Sequence, residues 1–272
     1  MFNVSIVLYK PDMAQVMTLC AEVLRAEKLR SIYLLDNSSE PVTCNEWPNR
    51  VKYIFNNTNL GYGAAHNIAI RRSIYEHTLC HLVMNSDIQV HAEDLDNLHD
   101  FIKKNPQVGS VMPKVVYPDG QLQYLCKLLP TPLDVFGRRF LPAWLMKSRN
   151  RRYELRDSGY NRMLNVPYLS GCFMFLRTEA VRQARLFDER YFMYPEDIDL
   201  TRTIHRDWLT LFLPDITIVH DHARASYKSL RMTWIHIVNM CRYFNKWGWF
   251  FDRERRIVNR LTLGQIYPPK AL

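Results

Sequence analysis

The chain has 272 residues, 47% of them hydrophobic, which is enough to bury a sizeable core and argues against disorder. Its formal net charge is +9, and most of that excess lies in 224–260, where nine Lys/Arg face two acids. Six scattered cysteines without a C-x-x-C pair suggest neither a disulfide framework nor a zinc site, and no apolar run reaches the roughly 18 residues of a membrane span.

An apolar run at 2–9 leads straight into Lys10-Pro11-Asp12 and reads as a buried strand, not a signal peptide. The pattern predicts a strand over 3–8, a helix over 13–27 and strands over 31–35 and 51–55. A helix over 63–75, a strand over 79–84, a helix over 92–104 and a strand over 109–113 follow. That rhythm implies an α/β chain with a mostly parallel sheet and helices on both faces. From 117 to 165 Pro, Arg and aromatic residues break the rhythm, as in a segment that covers a site. A buried strand over 169–177, a helix over 178–184 and a strand pair at 209–213 and 216–219 come next. In the segment 226–259, Leu230, Trp234, Ile237, Val238, Cys241 and Phe244 recur at helical spacing. The expected division is a domain over 1–225 and a basic aromatic extension over 226–272.

Ligands of parallel sheets sit outside the carboxyl ends of the strands, and three of those ends carry Asn, Asp, Ser and Gly. They read Asp36-Asn37-Ser38-Ser39, Asn59-Leu60-Gly61-Tyr62-Gly63 and Asn85-Ser86-Asp87. Ordinary turns use the same residues, but their recurrence at one sheet edge favours a site. Asp36 can accept from a base or ribose, Gly61 and Gly63 let backbone approach a ligand, and Asp87 can bind a metal. Behind Tyr191-Phe192-Met193-Tyr194-Pro195 stand Glu196, Asp197 and Asp199, which are either first-turn acids of a helix or a working base beside a pocket.

In this order, with Ser170-Gly171-Cys172-Phe173-Met174, the segment from Phe187 to Leu200 and His220-Asp221-His222, the motifs resemble the inverting nucleotide-sugar-dependent glycosyltransferases of family 2. The likeness runs from Val4 to about Ser229 and is greatest to the rhamnosyltransferase-like members that build O-antigen of lipopolysaccharide and other surface polysaccharides. It implies the GT-A fold, a Rossmann-like mostly parallel sheet, with 117–165 as a lid or acceptor-side insertion. By the same resemblance Leu8, Tyr9 and Asp36 hold the nucleotide base, with Asn59, Gly61 and Asn67 on the nucleotide side. Asp87 answers to the metal-binding carboxylate of a D-x-D element that here lacks its second acid. A divalent ion, Mg²⁺ or Mn²⁺, then takes Asp87 and His220, with His222 the second choice. Asp197 falls on the family's catalytic base, and Asp188, Glu196 and Asp199 fall on the acceptor side.

The activity so implied moves a sugar, by preference L-rhamnose from dTDP-rhamnose, onto a lipid-linked saccharide. A UDP-sugar-dependent galactosyl- or glucosyltransferase of the same family stays open, as do a sugar-phosphate nucleotidyltransferase and an inactive binding protein of the same fold. The basic aromatic extension suits an anionic membrane at the inner, cytoplasmic face, with Trp234, Trp247, Trp249 and Phe250 at the headgroups and Arg242, Lys246 and Arg253 toward the lipid. Packing is expected at the front of that helix and membrane contact over 247–260. No nucleic-acid-binding fold precedes it, so nucleic acid is not an expected partner.

Overall fold

The computed structural model describes residues 1–42, 47–221 and 230–267. The first half runs β1 (Phe2–Leu8), α1 (Met13–Val23), β2 (Leu29–Asp36), β3 (Val51–Phe55), α2 (Tyr62–Tyr75), β4 (Cys80–Met84), β5 (Ile88–Gln89), α3 (Ala92–Lys104) and β6 (Val108–Val116). After it come β7 (Cys126–Lys127), α4 (Arg138–Phe140), α5 (Ala143–Tyr153), β8 (Leu164–Asn165), β9 (Tyr168–Leu169), β10 (Phe173–Arg177) and α6 (Thr178–Gln183). The chain ends in α7 (Glu196–Ile204), β11 (Leu209–His220), α8 (Leu230–Trp247) and α9 (Arg253–Gly264).

The main sheet is ordered β3-β2-β1-β4-β10-β6-β11-β5, with β8 added against β11. Strands β1 to β4 are mutually parallel, whereas β10 runs antiparallel to both neighbours. Because β1 has β2 on one side and β4 on the other, the crossovers diverge there and leave a crevice at the carboxyl ends of those strands.

Side chains alternate along the strands, and each face of the sheet has its own core. Leu82, Met84, Phe173 and Phe175 face the layer of α1 and α3. Val83, Met174 and Leu176 face α2, α6 and α7. Between α2 and the sheet runs a buried polar chain. The Ser5 hydroxyl lies 2.6 Å from His66 Nδ1 and 2.8 Å from His81 Nε2, and Ser73 joins His81 Nδ1 at 2.7 Å. Burial pushes both imidazoles below the usual range and so keeps them neutral, and His66 works as a tie between α2 and β1.

Three expectations change in the structure. The strand pair at 209–219 is one strand, β11, with a register shift between Leu213 and Thr217. The irregular stretch over 117–165 contains β7, α4, α5 and β8, because Tyr153, Leu155 and Tyr160 anchor it in a core of its own with Phe212. The terminal helical segment breaks at Gly248, whose φ of 102° and whose missing Cβ, which would lie 2.9 Å from the Phe251 carbonyl oxygen, let the chain turn back into α9. Met240, Tyr243 and Phe244 of α8 share a core with Tyr168, Tyr191 and Ile198. The expected division at 225–226 falls outside the described residues.

Candidate active site

The carboxyl ends of β4 and β11 and the amino end of β10 meet around an open cavity of about 1080 Å³. Asn85, Gly171, Glu196, Asp197 and His220 all line it. Pairing of β5 with the end of β11 sets Ile88 opposite His220, which brings Asp87 against the imidazole with Oδ1 3.3 Å from Nε2.

Asp197 stands in the first turn of α7, buried yet on the cavity lining. Its Oδ2 accepts from the Gly171 N–H at 2.9 Å and its Oδ1 from the Ile198 N–H at 2.8 Å. Gly171 gives Asp197 room, since a Cβ would stand 3.1 Å from the Asp197 Cβ and push it aside. Glu196 Oε2 is buried without a hydrogen-bond partner. Burial first, and then the neighbouring Asp197 charge, push the Glu196 carboxyl upward; burial also raises Asp197 against the bonds and charges that favour its ionised form. Two adjacent buried carboxyls shifted upward resist being charged together. The helix-start and working-base readings are therefore compatible, since the same turn that opens α7 aims a carboxyl into the cavity. The loop before it is strained: Tyr194 takes φ 96°, a value rare outside glycine.

His220 Nδ1 lies 3.0 Å from Gln123 Oε1, and the Gln123 amide donates to the His220 carbonyl at 2.8 Å. Nδ1–H thus points at Gln123 and Nε2 at Asp87. Burial works against a charge on the imidazole, but Asp87 and Cys172 outweigh it and push the group up to about 10. Among the described residues no three His, Cys, Asp or Glu converge as a metal cluster. Asp87 Oδ1, however, is buried without a hydrogen bond and faces an imidazole nitrogen. One hard oxygen and one imidazole nitrogen turned toward each other fit a divalent ion that takes the place of the Nε2 proton, its remaining ligands coming from diphosphate and water.

Several expected site residues are employed elsewhere. Asn67 donates to the Phe187 carbonyl and Glu189, each at 2.9 Å, and accepts from the Phe187 N–H at 3.0 Å; it clips α2 to the loop before α7. The backbone that Gly61 admits is protein, not ligand: a Cβ there would fall 2.3 Å from the Phe192 carbonyl oxygen. The Leu8 side chain is in the core, and its carbonyl accepts from Asn37 at 2.8 Å. Asp36 is buried and spends its carboxylate on Ser38 N–H at 2.9 Å, Val42 N–H at 3.1 Å and the Tyr53 hydroxyl at 2.6 Å, so it shapes the loop after β2. Tyr9 and Asn59 are exposed at the sheet edge.

On the acceptor side, Glu196 lines the cavity but Asp188 and Asp199 do not. Asp188 pairs with Arg190 at 2.6 Å and Lys246 at 3.0 Å, and Asp199 accepts from Lys246 at 2.7 Å and the Trp247 indole at 2.5 Å. Both carboxylates lock α8 to the loop and helix that carry Asp197. His222 lies outside the described residues. Tyr62, Gln123 and Lys127 line the cavity without having been singled out from the sequence. Tyr62 holds Asn85 and the Gly171 carbonyl at 3.0 and 2.6 Å and adjoins a glycine of a recognisable motif; Gln123 and Lys127 lie in the irregular segment, where no spacing marks them.

The model of the family described as "Glycosyl transferase family 2" matches residues 18–185. An N-acetylglucosaminyl-diphospho-decaprenol L-rhamnosyltransferase of Mycobacterium tuberculosis is 30% identical over 223 residues, spanning 75% of this chain and 70% of that one. The chain belongs to glycosyl transferase family 2. The low-salt glycan biosynthesis hexosyltransferase Agl10 of Haloferax volcanii is 24% identical over 188 residues, spanning 67% of this chain and 56% of that one. Two solved structures share the GT-A fold of this family 2 enzyme. GalNAc-T7 with UDP, GalNAc and Mn²⁺ superimposes with a TM-score of 0.58 at 15% identity over 80% of this chain and 42% of that one. The mannosyltransferase PcManGT of Pyrobaculum calidifontis, with GDP-Man and Mn²⁺, gives 0.53 at 13% identity over 100% and 76%. The chain is a rhamnosyltransferase-like glycosyltransferase.

Proposed function

We propose that this enzyme transfers L-rhamnose from dTDP-rhamnose, with inversion, to a lipid-linked saccharide in surface polysaccharide assembly. The carrying observation is a buried carboxyl, Asp197, held by the Gly171 N–H in a cavity whose lining also includes His220, which faces Asp87 behind it. Inversion asks for one base that takes the acceptor proton as the hydroxyl attacks the anomeric carbon opposite the leaving nucleotide. Asp197 fills that role and Glu196 faces the acceptor. Tyr9 and Asn59 border the nucleotide side. A divalent ion, Mg²⁺ or Mn²⁺, held by Asp87 and His220 supplies positive charge to the departing diphosphate. The rhamnose and lipid parts of the reading are supported by the likeness to the mycobacterial rhamnosyltransferase, which is named for a diphospho-decaprenol substrate.

The test is transfer by purified protein from a panel of nucleotide sugars to a lipid-linked GlcNAc analogue, with the anomeric configuration of the product read by NMR. Inverted rhamnoside is expected. Donor binding, followed as metal-dependent thermal stabilisation, is expected to vanish in Asp87→Ala and weaken in His220→Ala. Equal donor affinity in excess chelator contradicts the metal assignment.

No described helix is long and apolar enough to cross a membrane. Contact with the anionic cytoplasmic face of the inner membrane is instead assigned to an exposed rim. The packing departs in part from the sequence expectation: Leu230 and Trp234 at the front of α8 are exposed, whereas Trp247 lies under Arg202 and Arg206, and Trp249 stacks on Phe136. Arg255 is buried and donates to the Pro130 carbonyl at 3.1 Å, which removes it from any lipid-facing set. Phe250 and Phe251 remain exposed beside Arg253 and Arg256. Arg253→Glu with Arg256→Glu is expected to weaken cosedimentation with anionic vesicles, at about 1 kcal/mol per charge removed. Unchanged sedimentation at low salt would contradict the assignment.

A further inference from the structure

The segment over 117–165 contributes more than a wall to the cavity. It places Lys127, Arg138 and Arg156 on the lining together with a single carboxylate of its own, Glu154. Both guanidiniums share that carboxylate: Arg138 reaches Oε1 at 3.2 Å and Arg156 reaches Oε2 at 2.5 Å. The Lys127 ammonium makes neither a hydrogen bond nor an ion pair among the described residues and rests with Nζ 5.1 Å from the Tyr168 ring centroid. Arg138 and Arg156 share one carboxylate, while Lys127 feels the Asp197 and Glu154 charges only at a distance, and a part-buried ammonium without a contacting anion is costly to keep.

We propose that Lys127, Arg138 and Arg156 form a subsite for the diphosphate of the lipid-linked acceptor. This rests on the acceptor reading given above. Paired guanidiniums match phosphate oxygens in fork geometry, and an ammonium adds a compact third charge. Burial, and then the like charge of Arg138, hold Lys127 below the usual lysine range, a conflict that a bound dianion relieves.

The path out of the cavity fits an apolar chain attached to that diphosphate. Arg156 also lines a second concavity of about 310 Å³, shared with Ala143, Trp144 and Lys147. That concavity opens beside Phe140, Leu141, Trp144 and Leu145, all exposed. The same ridge joins the exposed rim described above, because Arg139 bonds to Thr233 of α8 and Phe136 stacks on Trp249. A saccharide can thus face Glu196 and Asp197 while its diphosphate meets the cations and its lipid leaves over α4 and α5.

A nucleoside diphosphate offers the same chemistry, but its diphosphate is already assigned to Asp87 and His220, and the acceptor is therefore the source chosen. The test uses the full chain without donor and two probes, decyl N-acetylglucosaminyl diphosphate and the decyl glycoside lacking the diphosphate. Titration calorimetry gives the preference of each variant for the first probe over the second. Lys127→Met and Arg156→Met are each expected to reduce that preference about tenfold or more, with dTDP affinity retained. Lys127→Gln serves as the second variant at a side chain that makes no bond in the fold. An unchanged preference, or none in the unmodified protein, overturns the proposal. Loss of dTDP affinity with the preference intact overturns it too, by assigning the cations to the donor. Sugar transfer is read separately, so its failure with the preference intact counts against the proposed function and not against this subsite.

Discussion

Arg202→Met is expected to lower the melting temperature by about 10 °C, as loss of roughly 3–5 kcal/mol does in a domain of this size. Arg202 is 2% exposed and forks onto Asp252 at 2.8 and 2.9 Å, reaches Glu254 at 2.7 Å and lies 4.1 Å from the Trp247 ring centroid. Asp252 is the cap of α9, accepting from the Arg255 N–H at 2.9 Å. Removing the guanidinium leaves a buried carboxylate without its partner and loosens α9 from α7 together. The double variant with Asp252→Asn should recover part of the loss, because it removes the stranded charge. A melting temperature unchanged in the single variant would show that the pair contributes nothing.

The same cluster sets an acid limit. Burial acts to raise the Glu254 carboxyl, but its bonds to Arg206 and Arg202 prevail and bring it down to about 2 from 4.5. A lowered folded-state value stabilises above pH 4.5, and that contribution is lost as the pH falls toward 2.

The alternating strands and helices of the first half were legible because each strand is an apolar run and each helix carries a stripe. The sheet-edge motifs were legible as motifs, but their targets were not. Asn67, Gly61 and Asp36 look like ligand contacts in a linear sequence because Asn, Gly and Asp serve turns and ligands with the same atoms. Only the fold shows that they grip Phe187, Phe192 and the loop after β2. Asp188 and Asp199 could not be tied to Lys246 from the sequence, because it lies 58 and 47 residues away, beyond any local pattern. The cations of the 117–165 segment were visible as a composition, but not as a cluster around Glu154.

Asp197→Asn is expected to cut turnover by about 100-fold or more, because an amide keeps the shape and cannot take the acceptor proton. Its effect on the Gly171 contact is the alternative cause of any loss, so a thermal melt accompanies the assay. Burial raises the Asp197 carboxyl, so the rate of the unmodified enzyme should climb with pH on its acid limb above the ordinary aspartate range, as the base ionises. Asp197→Asn should lack that limb, and Glu196→Gln should retain it.

The most direct measurement is single-turnover transfer by Asp197→Asn with donor and acceptor both saturating, alongside the dissociation constant of the donor. The account predicts a rate slowed about 100-fold or more with donor affinity changed less than about threefold. A rate near that of the unmodified enzyme, with Glu196→Gln inactive in the same assay, would contradict it and move the base to Glu196.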